Sequence, residues 1–149
     1  DFTPSTILTL AEHPNIIGMK DSSANVLKVG AVLSERPDFR IFAGTGGALL
    51  PFLSIGAVGG IAALANFAAE PLHKVVDAFR VGSLGEARAI QQSLMEINAA
   101  VTSRYGVSGL KYAMDRSGFY GGPARRPLLP LAQGARTEID SLLEKLSLV

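Results

Sequence analysis

Lys20 closes an apolar run of strand length within Asn15–Ser23, NIIGMKDSS, which follows Pro14 and turns polar immediately after the lysine. A short apolar run between a proline and a serine-rich turn reads as a strand buried on both faces, as in a parallel sheet. An ammonium held at the end of such a strand, against apolar walls, loses hydration, and more of it is then the neutral amine. A neutral amine is a nucleophile that condenses with a ketone. The plainer reading is an ordinary lysine snorkelling out of a strand end.

Two further stretches have residue types suited to a ligand. Gly44-Thr45-Gly46-Gly47 follows a short strand and precedes a helical stretch. Glycines there let a ligand approach the backbone, and the amides of a helix start favour an anion. A plain tight strand-to-helix turn accounts for the same residues, since one glycine-rich loop is a weak signal. Val58–Leu64, VGGIAAL, is a strand of small residues ending at Ala65-Asn66. Its small side chains either leave space beside a neighbouring functional group or simply fit a crowded interior.

The elements that would position these residues alternate strand and helix. Thr3-Pro4 is an N-cap with proline at the first helical position, and Ile7, Leu10 and Ala11 give its helix a short apolar stripe. Asn25–Glu35 carries Val26, Val29, Gly30 and Leu33 at helical spacing. Phe39–Ala43 reads as the second strand, Ala48–Ile55 as helix, and Val58–Leu64 as the third strand. A helix from Pro71 bears Leu72, Val75, Val76 and Phe79 and is closed by Gly82. Ser83–Glu86, SLGE, is a capping box opening a long helix with Ile90, Leu94, Ile97 and Val101 on one face, ended by Tyr105-Gly106. A short helix with Leu110, Ala113 and Met114, a turn-rich link, and a terminal helix capped by Thr137 complete the chain. The pattern predicts a parallel α/β fold, βαβαβα followed by helices. Three buried parallel strands leave an edge open, so a partner chain or a longer protein is expected to complete the sheet.

Composition narrows the function. The net charge of +1 and the lack of a basic cluster point away from nucleic acid and charged membranes. With no cysteine there is no disulfide or thiolate metal site, and His13 and His73 lie far apart without ligand spacing, so neither metal nor cofactor is expected. Leu49–Phe67, the longest apolar candidate for a membrane span, is interrupted by glycines and a proline. The chain begins with Asp1 rather than Met and shows no signal peptide, which suggests a processed or trimmed product.

GMKDSS, FAGTGGALLPFLSIGAVGGIAALAN and NAAVTSRYGVSGLKYAMDRSGFYGGPARRPL together resemble the pyruvate-dependent class I aldolases of the dihydrodipicolinate synthase and N-acetylneuraminate lyase family. The resemblance runs along essentially the whole chain, and its tail looks closest to the 4-hydroxy-2-oxoglutarate aldolase branch. It implies the C-terminal half of a (β/α)8 barrel: strands six to eight with their helices over residues 1–82, and a helical extension over residues 83–149. Active sites of such barrels lie at the C-terminal strand ends, where Lys20, Gly44 and Asn66 fall.

The resemblance matches Lys20 to the Schiff-base lysine and Ser22 to a position facing the substrate in some members. It matches Ile61 to a residue whose backbone carbonyl lies near the lysine, and Gly44 and Thr45 to the part of the site meeting the distal end of the substrate. Sialic acid lyases carry acidic residues where this chain has Gly46-Gly47, so a short dicarboxylic oxo acid is more compatible than a sialic acid. The implied reaction is cleavage of 4-hydroxy-2-oxoglutarate to pyruvate and glyoxylate. The alternatives are dihydrodipicolinate synthase, a 2-keto-3-deoxy sugar acid aldolase, or a non-catalytic half-barrel acting as an assembly module. The family's proton-relay tyrosine and carboxylate-binding loop match nothing here and belong to an upstream barrel half; Tyr105, Tyr112 and Tyr120 do not take that role. A homo-oligomer, a tetramer by resemblance, is expected, in the cytoplasm or alternatively the mitochondrial matrix.

Overall fold

The computed structural model describes residues 1–148. Three strands, β1 (Gly18–Asp21), β2 (Arg40–Ala43) and β3 (Gly59–Gly60), form one parallel sheet in the order β1-β2-β3. Lys20 pairs with Phe42, and Phe42 with Gly59. The interleaved helices are α1 (Pro4–Leu10), α2 (Val26–Glu35), α3 (Leu49–Ser54) and α4 (Ala69–Arg80). They are followed by α5 (Leu84–Ser93), α6 (Met95–Ala99), a π-helical turn (Ala100–Arg104), α7 (Gly106–Arg116) and α8 (Gln133–Lys145).

Local chemistry explains several of these boundaries. Thr3 accepts a hydrogen bond from the Thr6 amide with Pro4 at the first helical position, and Asn25 Oδ1 accepts from the Lys28 amide at 3.0 Å. Gly82, at φ +79°, ends α4; its N–H reaches the Phe79 carbonyl and the Ser83 N–H reaches Ala78. That closure draws on Ser83, whose side chain makes no cap bond to α5, so the capping box expected from SLGE does not form.

The sheet is one-sided. Ile41 and Ala43 are buried beneath Val29 and Val32 of α2, Phe52 of α3 and Val75 of α4, in a core that continues through Ile97 and Val101 to Ile139 and Leu143. Alternation along the strands places Lys20, Arg40 and Phe42 on the opposite face, where Lys20 and Arg40 are exposed. The expectation of a first strand buried on both faces is therefore corrected: Ile17 is 66% exposed, and the ladder covers only Gly18–Asp21. Among the described residues β1 and β3 pair with β2 alone, and on the open face Lys20 and Arg40 are exposed and Phe42 is half-buried.

Three other expectations shift. Only Gly59–Gly60 of the run 58–64 pairs as strand, and Ala63–Asn66 winds into a 3₁₀ turn. The single long helix expected from Ser83 is broken at Leu94 and again by the π turn, where the Tyr105 amide reaches back to Ala100. Thr102 and Ser103 hydroxyls donate to the carbonyls of Asn98 and Ala99, a back-bonding that competes with regular helix. The terminal helix begins at Gln133 rather than at a Thr137 cap; Thr137 lies inside it and donates to the Gln133 carbonyl.

Candidate active site

Lys20 stands at the C-terminal end of β1 on the open face, opposite Phe42. Among the described residues the apolar walls that the sequence suggests for it are missing, since Lys20 is exposed. Its neighbour Asp21 points the other way and is 2% exposed. Asp21 Oδ2 lies 2.5 Å from the Lys28 ammonium, itself buried, while Oδ1 accepts from the Ser23 amide (2.9 Å) and hydroxyl (2.6 Å). Lys28 also reaches Asp1 at 2.7 Å. Burial pushes the Asp21 carboxyl up, but hydrogen bonds from Lys28 and Ser23 outweigh it and hold it below the usual carboxylate value. The end of β1 is thus anchored from beneath while Lys20 faces out.

Ser22 and Gly44 are brought together. The Gly44 amide donates to the Asp21 carbonyl at 2.6 Å, and a Cβ on Gly44 would lie 2.3 Å from Ser22 Oγ. Glycine is needed here for close strand approach. Thr45 caps the following 3₁₀ turn (Gly46–Ala48) by accepting from the Gly47 amide. The Ala48 amide binds the Thr45 carbonyl, the Leu49 amide the Gly46 carbonyl, and the Leu50 amide Gln91 Oε1. The amides of Gly47, Ala48, Leu49 and Leu50 are thus bonded within the protein. Ile61 continues beyond β3 by donating to the Ala43 carbonyl at 2.9 Å, and its side chain is 53% exposed. Asn66 donates to the Ala63 carbonyl and is exposed.

A cavity of about 460 Å³ runs along the unpaired edge of β3 against α4; its lining includes Phe42, Thr45, His73, Asp77 and Arg80 but not Lys20. Tyr105 and Tyr112 give their hydroxyls to Glu138 and Asp140 of α8 and so tie the tail together. Among the described residues no cluster of three or more metal-binding side chains forms, and no helix is long and apolar enough to cross a membrane.

Two buried residues at the site escape the sequence reading. Gln91 and Asn98 reach from α5 and α6 to the glycine-rich turn, and both are under 10% exposed. Their signal was a pair of amides seven residues apart beside the stripe Ile90, Leu94, Ile97 and Val101.

The model of the dihydrodipicolinate synthetase family matches residues 1–146. The chain belongs to that family. It is 32% identical over 145 residues to a 4-hydroxy-tetrahydrodipicolinate synthase of Listeria welshimeri, covering 97% of this chain and 50% of the relative. It is 33% identical over 144 residues to a DapA-like lyase of Halobacterium salinarum, covering 97% and 47%. The 4-hydroxy-tetrahydrodipicolinate synthase of Methylacidiphilum fumariolicum superposes with a TM-score of 0.90 at 28% identity, over 99% of this chain and 50% of that one. YagE of E. coli K12, a member of the dihydrodipicolinic acid synthase family solved in complex with pyruvate, superposes at 0.89 with 26% identity, over 100% and 52%. The chain spans about half the length of the curated relatives it matches. As a dihydrodipicolinate synthetase family chain it has the C-terminal part of a (β/α)8 barrel, with the helical extension carried by α5–α8. The one-sided sheet follows directly: in a barrel, the face bearing Lys20 is the inside.

Proposed function

We propose that this chain carries the imine-forming half of a pyruvate-dependent class I aldolase, with Lys20 as nucleophile. The observation that carries the reading is the placement of Lys20, in a chain of this family, at the C-terminal end of a parallel strand on the face that a barrel turns inward. The Lys20 Nζ attacks the C2 carbonyl of a 2-oxo acid, the carbonyl oxygen leaves as water, and a protonated imine remains. The imine is an electron sink: loss of a C3 proton, or scission of the C3–C4 bond, leaves an enamine. Ile61 and Ser22 flank this centre, and Gly44 and Thr45 meet the distal end of the substrate.

The names of the relatives favour synthesis, in which the enamine adds to an aldehyde as in 4-hydroxy-tetrahydrodipicolinate synthase. Cleavage of 4-hydroxy-2-oxoglutarate to pyruvate and glyoxylate is the second reading, favoured by Gly46-Gly47, which offers no carboxylate to repel a second anionic group. In either case residues 1–82 form the barrel part and residues 83–149 an extension. The proton-relay tyrosine and carboxylate-binding loop come from an upstream half, and the assembled protein is a homo-oligomer, with a tetramer as the family-like form. A positioned proton-transfer group contributes roughly 10²–10⁴-fold in rate, so this chain alone has the nucleophile without its acid/base partner and is expected to be nearly inactive.

The test is intact mass after incubation with pyruvate and borohydride. An adduct that disappears in Lys20→Ala supports the reading. A folded wild-type chain without adduct, both alone and with the upstream half supplied, refutes it. Because Lys20 is exposed, Lys20→Ala is expected to leave the melting temperature essentially unchanged.

A further inference from the structure

Lys28 is placed against two preferences. It lies in the first turn of α2, where the helix dipole disfavours a cation, and it is 7% exposed. Its ammonium closes a circuit of polar contacts. Asp21 Oδ1 accepts from the Ser23 amide and hydroxyl, and Ser23 Oγ accepts from the Asn25 amide at 3.1 Å. Asn25 Oδ1 accepts from the Lys28 amide at 3.0 Å, and Lys28 Nζ returns to Asp21 Oδ2 at 2.5 Å. Inside the circuit Ala24 is held at φ +57°, a left-handed conformation that a residue other than glycine keeps only where its surroundings impose it. Well-packed apolar residues often serve a buried position as well as an ion pair does, so stability alone does not account for the arrangement.

What the circuit holds is the carboxylate next to Lys20. A lysine that condenses with a ketone must first lose its proton, and a negative charge nearby keeps that proton on. Asp21 is the acid nearest to Lys20 in the chain. It is directed beneath the sheet, where the charged groups it meets are Lys28 of α2 and, beyond that ammonium, the largely exposed Asp1. On the open face the other charged strand residue is Arg40 of β2, itself a cation. Among the described residues Lys20 makes no ion pair.

We infer that Lys28 is a positioning residue that acts through Asp21: it fixes and neutralises that carboxylate beneath the sheet, so that the charge next to the nucleophile does not hold the Lys20 proton. The inference rests on the reading of Lys20 as the imine-forming nucleophile. Lys28 touches neither substrate nor Lys20; its effect on the chemistry is carried by the one carboxylate between them. The circuit through Ser23 and Asn25 keeps that carboxylate and the ammonium in register, because both ends of the pair are fixed by side-chain bonds to the same short loop.

The test follows the rate at which pyruvate and cyanoborohydride trap Lys20 on the full chain, by intact mass with the site assigned by peptide mapping, in variants shown to be folded by circular dichroism. Lys28→Met leaves the Asp21 charge uncompensated. Trapping at neutral pH is expected to fall about fourfold, as for one unit charge roughly 10 Å away at a dielectric between those of the protein surface and of water. The deficit is expected to shrink as pH rises toward the ordinary lysine value of about 10.4. Adding Asp21→Asn to Lys28→Met removes the acid and is expected to restore the wild-type rate, and Lys28→Arg to keep it. A Lys28 that serves the fold alone gives another pattern, in which the double variant traps no faster than Lys28→Met or the deficit does not change with pH. Either result overturns the inference while leaving Lys20 as nucleophile, as does a wild-type rate in folded Lys28→Met. Where Lys28→Met does not fold, Asp21→Asn decides: with Lys28 still bonded to Asp1, trapping equal to or faster than wild type is expected, and slower trapping in the folded variant overturns the inference. Absence of Lys20 trapping in the wild type, both alone and with the upstream half supplied, defeats the Lys20 reading itself, and this inference with it.

Discussion

Replacing Lys28 with methionine keeps most of the buried side-chain volume and removes the charge that faces Asp21. Asp21 is 2% exposed, so the variant leaves a carboxylate in the interior with Oδ2 deprived of the ammonium 2.5 Å away. Removing one partner of a buried pair costs about 3–5 kcal/mol. The amide and hydroxyl of Ser23 still serve Oδ1, which places the expected loss near the lower end, about 3 kcal/mol. The contact of Lys28 with the largely exposed Asp1 adds little to this. At a urea slope of about 2 kcal/mol/M, the loss lowers the unfolding midpoint by about 1.5 M.

The pH dependence separates this cause from lost packing. The folded Asp21 carboxyl sits below the ordinary value of about 3.9. Its stabilisation is therefore complete above that value and is lost as pH falls through the lower folded-state value. In Lys28→Met the lowering contribution of Lys28 is gone while burial still raises the carboxyl and the Ser23 bonds still lower it, so the variant's carboxyl takes up its proton at a higher pH than the wild type's and protonation relieves the variant first. The gap between the two proteins is expected to narrow from pH 7 toward pH 4 in urea titrations, and Asp21→Asn combined with Lys28→Met is expected to recover part of the loss. A loss under about 1 kcal/mol, the range of an exposed pair, would refute the reasoning. So would a gap that does not change with pH.

Two substitutions test the turn after β2. Gly44→Ala would set a Cβ 2.3 Å from Ser22 Oγ and 2.6 Å from the Asp21 carbonyl, which belongs to the backbone and cannot swing aside; a loss of about 1–3 kcal/mol in chemical denaturation is expected. Gln91→Leu strands the Leu50 amide, at about 1–3 kcal/mol for a donor left unpaired, while the Gly46 carbonyl keeps its bond from the Leu49 amide; a lowered thermal midpoint is the readout. An unchanged midpoint in Gln91→Leu would mean that water replaces the glutamine and that α5 does not hold the turn.

Much of the chain obeys short-range rules. The cap at Thr3, the closure of α4 by Gly82 and the stripes of α2 and α4 each depend on residues within one or two turns, so the sequence alone sufficed for them. Lys20 at the end of a strand was legible for the same reason, and the family resemblance followed from contiguous motifs. Tertiary structure decided the rest. Whether a strand is walled on one face or two depends on other strands, and here Lys20 is exposed on an open sheet where its apolar run suggested burial. The small residues of Val58–Leu64 satisfy strand and turn alike, and pairing along one edge selected a ladder of only Gly59–Gly60. Gln91 and Asn98 read as polar interruptions of an apolar helix because their partners lie 41–53 residues away. The Asp21–Lys28 pair spans only seven residues, yet its weight comes from burial, which neither residue type announces. Backbone preference and periodicity are written locally in the chain; the partner of a buried polar group and the dryness around a charge are set by packing from afar.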